Sequence, residues 1–251
     1  MQVITPTSRE RPDLADRAED IGDEIWPEYN RHGDVLNLHW SSLRGRFPDF
    51  QFVVYDQEAD ELLAEGHTIP CRWDGTIDGL PSGIDGVMEQ GVDLHERGEP
   101  PNALSAIAIE IRPSHQGRGL SRILIARMGE IAEAHGFASL IAPVRPNWKE
   151  RYPLTPIESY AYWTRDDGLP FDPWIRVHHR LGAEILLPDP RSLRITGSVS
   201  EWESWTEMAF PESGDYVFPH GLAPVAIDQE ADQGRYWEPN VWMHHRVSAG
   251  N

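Results

Sequence analysis

The run Ile109-Glu110-Ile111-Arg112-Pro113-Ser114-His115-Gln116-Gly117-Arg118-Gly119-Leu120-Ser121 joins an apolar, strand-like segment to a helix-like one. A junction of this kind is suited to holding an anion. The first amides of a helix have no internal partner and carry the positive end of its dipole. Glycines at 117 and 119 remove Cβ atoms, so main-chain N–H groups can wrap a diphosphate closely. Ser121 adds a hydroxyl and Arg118 a cation. The spacing lacks the third glycine of a dinucleotide-binding fingerprint and the Gly-Lys-Ser/Thr of a P-loop. A bare Gly-x-Gly is more often a plain tight turn, so the elements around it carry the weight.

Here the sequence resembles the GNAT superfamily of acyl-CoA-dependent N-acyltransferases. The resemblance lies in Ile111-Arg112-Pro113, a two-residue gap, then Gln116-Gly117-Arg118-Gly119-Leu120-Ser121 and the helix with Ile123 and Leu124. Only the final Ser departs from the family's Gln/Arg-x-x-Gly-x-Gly/Ala pattern. The resemblance covers roughly 1–70, 103–147 and 174–187. It implies that amides of Gln116, Gly117, Arg118, Gly119, Leu120 and Ser121 hold the pyrophosphate of an acetyl-CoA co-substrate. It further implies that main-chain groups near Ile109 and Ile111 pair with the pantetheine arm, and that Asn147 follows the next strand. The implied reaction moves an acetyl group to a primary amine of a small molecule, by direct attack in a ternary complex. The alternatives are a different acyl thioester or acceptor, and a non-catalytic acyl-CoA-binding protein.

The residues for acid–base work match the family less well. Four residues before Gly182, where the family carries a Tyr that protonates the thiolate, stands His178. An imidazolium could give that proton; the competing reading is a helix histidine with a local hydrogen bond. Tyr160 and Tyr162 are substitutes. The family's strand positions for a base are here Ile107 and Ser105, neither able to abstract a proton alone. Glu110 is the carboxylate on that strand, aimed by alternation away from the face of Ile109 and Ile111. Water ordered by Ser105, or Asp85 or Glu89 from further upstream, stays open. Neighbouring histidines at 178–179 and 244–245 point apart and have no metal-ligand spacing, so no metal is expected. Trp73, Trp148 and Trp163 are candidate pocket walls.

The elements that must position these groups follow from periodicity. Leu14, Ala18, Ile21 and Ile25 suggest one amphipathic helix, and Leu36, Trp40, Leu43 and Phe47 another. Phe52–Tyr55 and Glu61–Ile69 form a hairpin. Residues 74–102, rich in Gly, Asp, Glu and Pro, suggest a functional loop or disorder, with a brief helix around Val87 to Leu94. A buried strand over Ala103–Ile111, a helix from Leu120 to His135 closed by Gly136, and a strand over Ser139–Val144 follow. A short helix over Trp174–Leu181 and a strand over Ala183–Leu187 complete the order. Short strand-like pieces come later, at Leu193–Ile195, Trp205–Phe210 and Val241–His245. The expected class is α/β, an α+β layered domain with a mixed, largely antiparallel sheet flanked by helices. One domain is expected over 1–251, with its core near 1–70, 103–147 and 174–210, insertions near 74–102 and 148–173, and a tail over 211–251.

Composition bounds the partners. Lys and Arg number 22 against 41 Asp and Glu, a formal charge of −19, which argues against a nucleic-acid binder and an anionic membrane surface. The single cysteine, Cys71, excludes an intrachain disulfide. No 18-residue apolar stretch and no signal-peptide pattern occur, so a cytoplasmic setting is expected. A homodimer is left open.

Overall fold

The computed structural model describes residues 2–18 and 21–247. In chain order the elements are β1 (Val3–Ile4), α1 (Pro12–Asp16), α2 (Leu36–Trp40), α3 (Leu43–Arg46), β2 (Gln51–Asp56), β3 (Glu61–Cys71) and α4 (Gly83–Arg97). There follow β4 (Ala103–Ile111), α5 (Leu120–Ala134), β5 (Ser139–Val144), α6 (Ile157–Tyr160), α7 (Pro173–Arg180), β6 (Glu184–Gly197) and α8 (Val199–Thr206). The chain ends in β7 (Gly214–Tyr216), β8 (Val225–Asp228) and β9 (Gln233–Arg246). Nine strands form one sheet in the order β1-β2-β3-β4-β5-β9-β8-β7, with β6 on the other edge of β9. Among the described strands only β4 and β5 run parallel. The layered, largely antiparallel class expected from sequence is the one observed.

Helix α5 forms because Leu120, Leu124, Met128 and Ile131 recur on one face. They bury against Phe52, Val54, Leu63 and Leu104 of the sheet. The opposite face is covered by α2, α3 and α4, with Leu36, Leu43, Val87, Met88 and Val92 in its core. Two departures from the sequence reading matter here. The segment expected as a loop holds α4, a full 15-residue helix. Its glycines misled, because Gly91 is there for close packing: a Cβ at that position would collide with Ile69 of β3. The expected helix through Ile25 instead ends at Asp16 and passes residues 19 and 20, outside the described residues, before a 3-10 turn at Gly22–Glu24. The second stripe, likewise, splits into α2 and α3.

The C-terminal stretch is no appendage. β9 pairs with β5 from Val241 to Arg246, closing the middle of the sheet. Leu193–Ile195 belongs to β6, which runs the whole length of β9. Trp205 lies at the end of α8, a helix opened by a capping box at Ser198 and Glu201, so the expected strand over Trp205–Phe210 is absent.

The feature that makes a site is a wedge. β4 and β5 pair only at Leu104 with Leu140 and Ser105 with Ile141, then diverge toward their C-terminal ends. From Ala106 onward the β5-facing edge of β4 has no strand beside it. A bulge opposite His67 and Thr68 leaves Ile107 outside the β3 ladder and adds local twist to β4.

Candidate functional site

At the C-terminal end of β4 the chain turns through the glycine loop into α5. Gly117 and Gly119 have φ of +75° and +80°, the left-handed region where a side chain is strained. Gly119 caps α5, and no side chain fills the role of N-cap acceptor. Residues 116 to 119 are exposed, and nothing lies within 4 Å of a Cβ built on either glycine. Among the described residues, the amides of Gly117 to Ser121 find no acceptor in the loop or side-chain bonds. His115, by contrast, is buried and meets Glu61 Oε1 at 2.8 Å, which pins the start of the loop to β3. The bend is thus open and preorganised, with main-chain donors facing outward.

Between the arms of the wedge lies a cavity of about 620 Å³, lined by Ala106 to Glu110 of β4 and Ala142 to Arg145 at the end of β5. On the β4 side three ionisable groups meet. Glu65 and Glu110 are directly paired across β3 and β4, and His67 lies two residues along the same face. All three are at most 4% exposed. His67 Nε2 is 3.4 Å from Glu65 and 3.6 Å from Glu110, too long for a proper hydrogen bond to either. Gln51 fixes the ring from behind. Its amide nitrogen donates to the carbonyls of Phe47 and Thr68, so its oxygen must accept from His67 Nδ1 at 3.0 Å. Nδ1 therefore carries a proton, and Nε2 faces the two carboxylates.

Electrostatics decide what Nε2 carries. Burial alone would keep His67 neutral, but Glu65 and Glu110 overcome it and raise the ring to about 9. Burial likewise opposes ionisation of Glu65, yet His67 and Arg44 hold that carboxylate at about 2; Arg44 Nη2 donates to it at 2.7 Å. Glu110 goes the other way. Burial pushes its carboxyl up, helped by Glu65 and opposed by His67, and the indole of Trp26 donates to it. Two carboxylates, one imidazolium and one guanidinium balance in charge, with Glu110 the group nearest to taking up a proton. One ligand atom from each of Glu65, His67 and Glu110 lies within 4.8 Å of the others, a spacing that a cation could also bridge. Trp40 packs on the His67 ring at 4.8 Å between centroids.

On the β5 side stand Arg145, Glu238, Asn240 and His178. Arg145 Nε donates to Glu238 Oε1 at 2.9 Å, and Asn30 donates to the same oxygen at 3.1 Å. His178 Nδ1 meets His245 Nε2 at 2.9 Å, and burial with that neighbour lowers the His178 ring to about 3. This corrects the sequence reading: His178 reaches the cavity but is neutral, so it cannot act as an imidazolium acid. Asp172 places it by capping α7 on the amides of Trp174 and Ile175.

The other sequence candidates fall elsewhere. Ser105 is fully buried at the closed foot of the wedge, its hydroxyl on the Ala106 carbonyl at 3.3 Å, away from the cavity wall. Ile109 and Ile111 pack toward α5, and Glu110 points the opposite way, as alternation required; that opposite face is the one with the cavity. Asn147 is exposed beyond β5, its amide held by Asp172 at 3.3 Å. Asp85 is a structural acceptor for the amides of Leu36 and Arg194, and Glu89 is exposed on α4. Tyr160 donates to Asp172, and Tyr162 is exposed on another surface. Trp73 is core, while Trp148 and Trp163 join an aromatic cluster with Phe171; Trp26, Trp40 and Trp174 are the tryptophans at the cavity. Glu65 and His67 went unnoticed in the sequence. Their signal is two ionisable residues at i and i+2 inside the otherwise apolar run Leu62 to Ile69.

No family model matches the chain. It is 28% identical over 272 aligned positions to the arginine N-acetyltransferase avaD of Aspergillus versicolor, covering 96% of this chain and 93% of that protein. Among solved structures it is similar to the loading GNATL domain of CurA from Lyngbya majuscula, with a TM-score of 0.61 and 16% identity over 98% and 97% of the two chains. It is similar also to the GphF GNAT-like decarboxylase in complex with isobutyryl-CoA, with a TM-score of 0.61 and 14% identity over 99% and 100%. The chain has the GNAT fold, as the loop motif implied.

Proposed function

We propose that this protein acetylates a small cationic amine, arginine or a near analogue, using acetyl-CoA bound at the glycine loop and along the free edge of β4. As a GNAT-type enzyme it moves the acetyl group from the thioester to the amine. The observation that carries the reading is the wedge itself: an unpaired strand edge ends at an exposed cradle of amides, and a buried carboxylate cluster stands on its wall. The pyrophosphate would lie on the amides of Gly117 to Ser121, and the pantetheine arm would add to β4 as an extra strand does. The acceptor choice is supported by the arginine specificity in the name of the fungal relative and by the carboxylates at the cavity.

In this mechanism Glu110 is the base. An ammonium substrate must lose a proton before it attacks, and a carboxyl raised by burial is better matched to that task than an ordinary one. The free amine attacks the thioester carbonyl, an unpaired β4 amide near Ile109 stabilises the oxyanion, and the C–S bond breaks. The new amide nitrogen gives up its second proton and the thiolate gains one. His178, neutral, would relay that proton on the β5 side in place of the imidazolium acid first expected. Positioning supplies much of the acceleration, since both substrates are held together.

The test is to follow free thiol with acetyl-CoA and a panel of amines. Thiol release that saturates with arginine and yields N-acetylarginine supports the reading; CoA binding without turnover on any amine refutes it. A second reading, transfer from another acyl thioester, draws on the similarity to the isobutyryl-CoA-bound decarboxylase. Replacing acetyl-CoA by isobutyryl- or malonyl-CoA in the same assay separates the two.

A further inference from the structure

Arg145 is more elaborately held than a structural ion pair requires. Its Nε donates to Glu238, and its Nη2 donates to the Tyr29 hydroxyl at 2.9 Å and the His220 carbonyl at 3.1 Å. Those bonds fix the plane of the guanidinium. The Nη1 group, with two further N–H donors, has no acceptor among the described residues. The side chain is 20% exposed and lines the cavity. Glu238 has nothing left to offer Nη1: one oxygen accepts from Arg145 and Asn30, and the other has the hydroxyls of Tyr29 and Tyr236 at 3.2 and 3.4 Å.

Directly beside it is the complementary orphan. The pairing of Val144 with Val241 puts Arg145 and Asn240 at the next position of the same antiparallel register. Asn240 is 2% exposed, its amide nitrogen is committed to the Pro143 carbonyl at 3.1 Å, and its Oδ1 is buried without a partner. Two free guanidinium donors and one unpaired amide acceptor on a cavity wall fit a carboxylate and an ammonium carried on one carbon.

We propose that Arg145 and Asn240 form a head-group subsite for a free α-amino acid, Arg145 Nη1 taking the carboxylate and Asn240 Oδ1 an N–H of the α-amino group that is acetylated. This rests on the acyl-transfer reading and narrows its acceptor from cationic amines in general to amino acids with an intact carboxylate. The segment from Trp26 to Asn30 supports the placement. Trp26 donates to Glu110 on one arm, while Tyr29 and Asn30 meet Arg145 and Glu238 on the other. The same cavity is lined by Glu110 on one arm and by Arg145 and Asn240 on the other, so an amine at the head-group subsite shares that space with the Glu110 carboxyl.

The experiment compares L-arginine, its methyl ester and its decarboxylated form, agmatine, on the wild-type protein with acetyl-CoA. The ester and agmatine keep an amine and the guanidine but lose the carboxylate charge, and their amine basicities bracket that of arginine. Arginine is expected to exceed both in kcat/KM by on the order of 30-fold or more, the worth of a charge-assisted bond to a buried guanidinium, chiefly through KM. Arg145→Lys keeps the charge but loses the fork; it should lower the arginine value toward that of agmatine and leave CoA affinity unchanged. Equal use of agmatine and arginine overturns the proposal. So does a preference of the same size for malonyl-CoA over acetyl-CoA with agmatine and arginine equal, because the carboxylate would then belong to the donor. If no amine releases thiol, the acyl-transfer reading fails separately. Calorimetry on the CoA-loaded protein then decides the subsite: binding of arginine without agmatine keeps it, and any other pattern removes it.

Discussion

The glycine loop and the carboxylate cluster stand at the same, C-terminal end of one strand, β4, and are built in opposite ways. The loop works through main-chain amides, so its only requirements are two residues free to take positive φ and a helix to follow. It needs no partner from elsewhere in the chain beyond the His115 anchor on Glu61. The cluster works through side chains that are useless singly. Glu65, His67, Glu110, Arg44, Gln51 and Trp26 come from five separate stretches and acquire their protonation states only from one another. A site made of backbone tolerates side-chain change except at its glycines; a site made of coupled charges tolerates none of its members leaving. That contrast can be broken by experiment.

The largest effect belongs to Glu110→Gln. It removes the proposed base but keeps the shape and the acceptor for Trp26. We expect kcat to fall by about 10²- to 10³-fold, within the range for loss of a general base, with CoA affinity by calorimetry unchanged. A variant retaining more than a tenth of wild-type kcat would dissolve the distinction, leaving the cluster as scaffolding. Next comes the protonation of His67. Its folded value, about 9, lies above the ordinary 6.5, so the stabilisation is full below pH 6.5 and is lost as pH rises through 9. The difference corresponds to at most about 3 kcal/mol. Urea unfolding at pH 6 and pH 10 should show the wild type losing much more stability than His67→Gln over that interval. Equal losses would mean that the ring is not charged in the fold.

Smaller again is Trp26→Phe, which keeps the ring packing and deletes the donor to Glu110. Roughly a tenfold loss in kcat is expected, the low end for a hydrogen bond to a charged group. The acidic limb of the pH–rate profile should also move to higher pH, because the Glu110 carboxyl rises further when its donor is gone. A lower rate with an unmoved profile would assign Trp26 to packing alone.

The same contrast explains what could be read from the chain. The loop was legible because Ile111-Arg112-Pro113 and Gln116 to Ser121 are consecutive, and so was α5, whose apolar stripe has a clean helical period. Glu110 was legible as a candidate and its orientation followed from alternation, but which face held the cavity depends on where β5 departs from β4. Glu65 and His67 join it only through the β3–β4 register, which periodicity does not specify. Arg145 and Asn240 are 95 residues apart in number and meet because β9 returns beside β5, in a stretch expected to be a tail. α4 was hidden by glycines that serve close packing rather than turning. His178 was found by its offset from Gly182, while its neutrality comes from burial and, after that, from His245 on β9.

The most delicate test compares two glycines with the same backbone conformation at the two ends of α5. Gly119 has φ +80° and Gly136 φ +73°, and a Cβ on either meets nothing within 4 Å. Alanine at each position therefore carries the same penalty for left-handed backbone, about 1 kcal/mol, and each variant should lose about that much stability in urea unfolding. Their consequences for CoA should differ. At Gly136 the strain is remote from the cradle, so affinity should be that of the wild type. At Gly119 the chain can relieve its strain only by rotating the amides that open α5, and the methyl group stands where a diphosphate would approach. Affinity should drop by roughly fivefold, the equivalent of about 1 kcal/mol. If Gly119→Ala binds CoA as tightly as Gly136→Ala, then the amides at the start of α5 do not hold the nucleotide, and the loop half of the comparison falls while the carboxylate half stands.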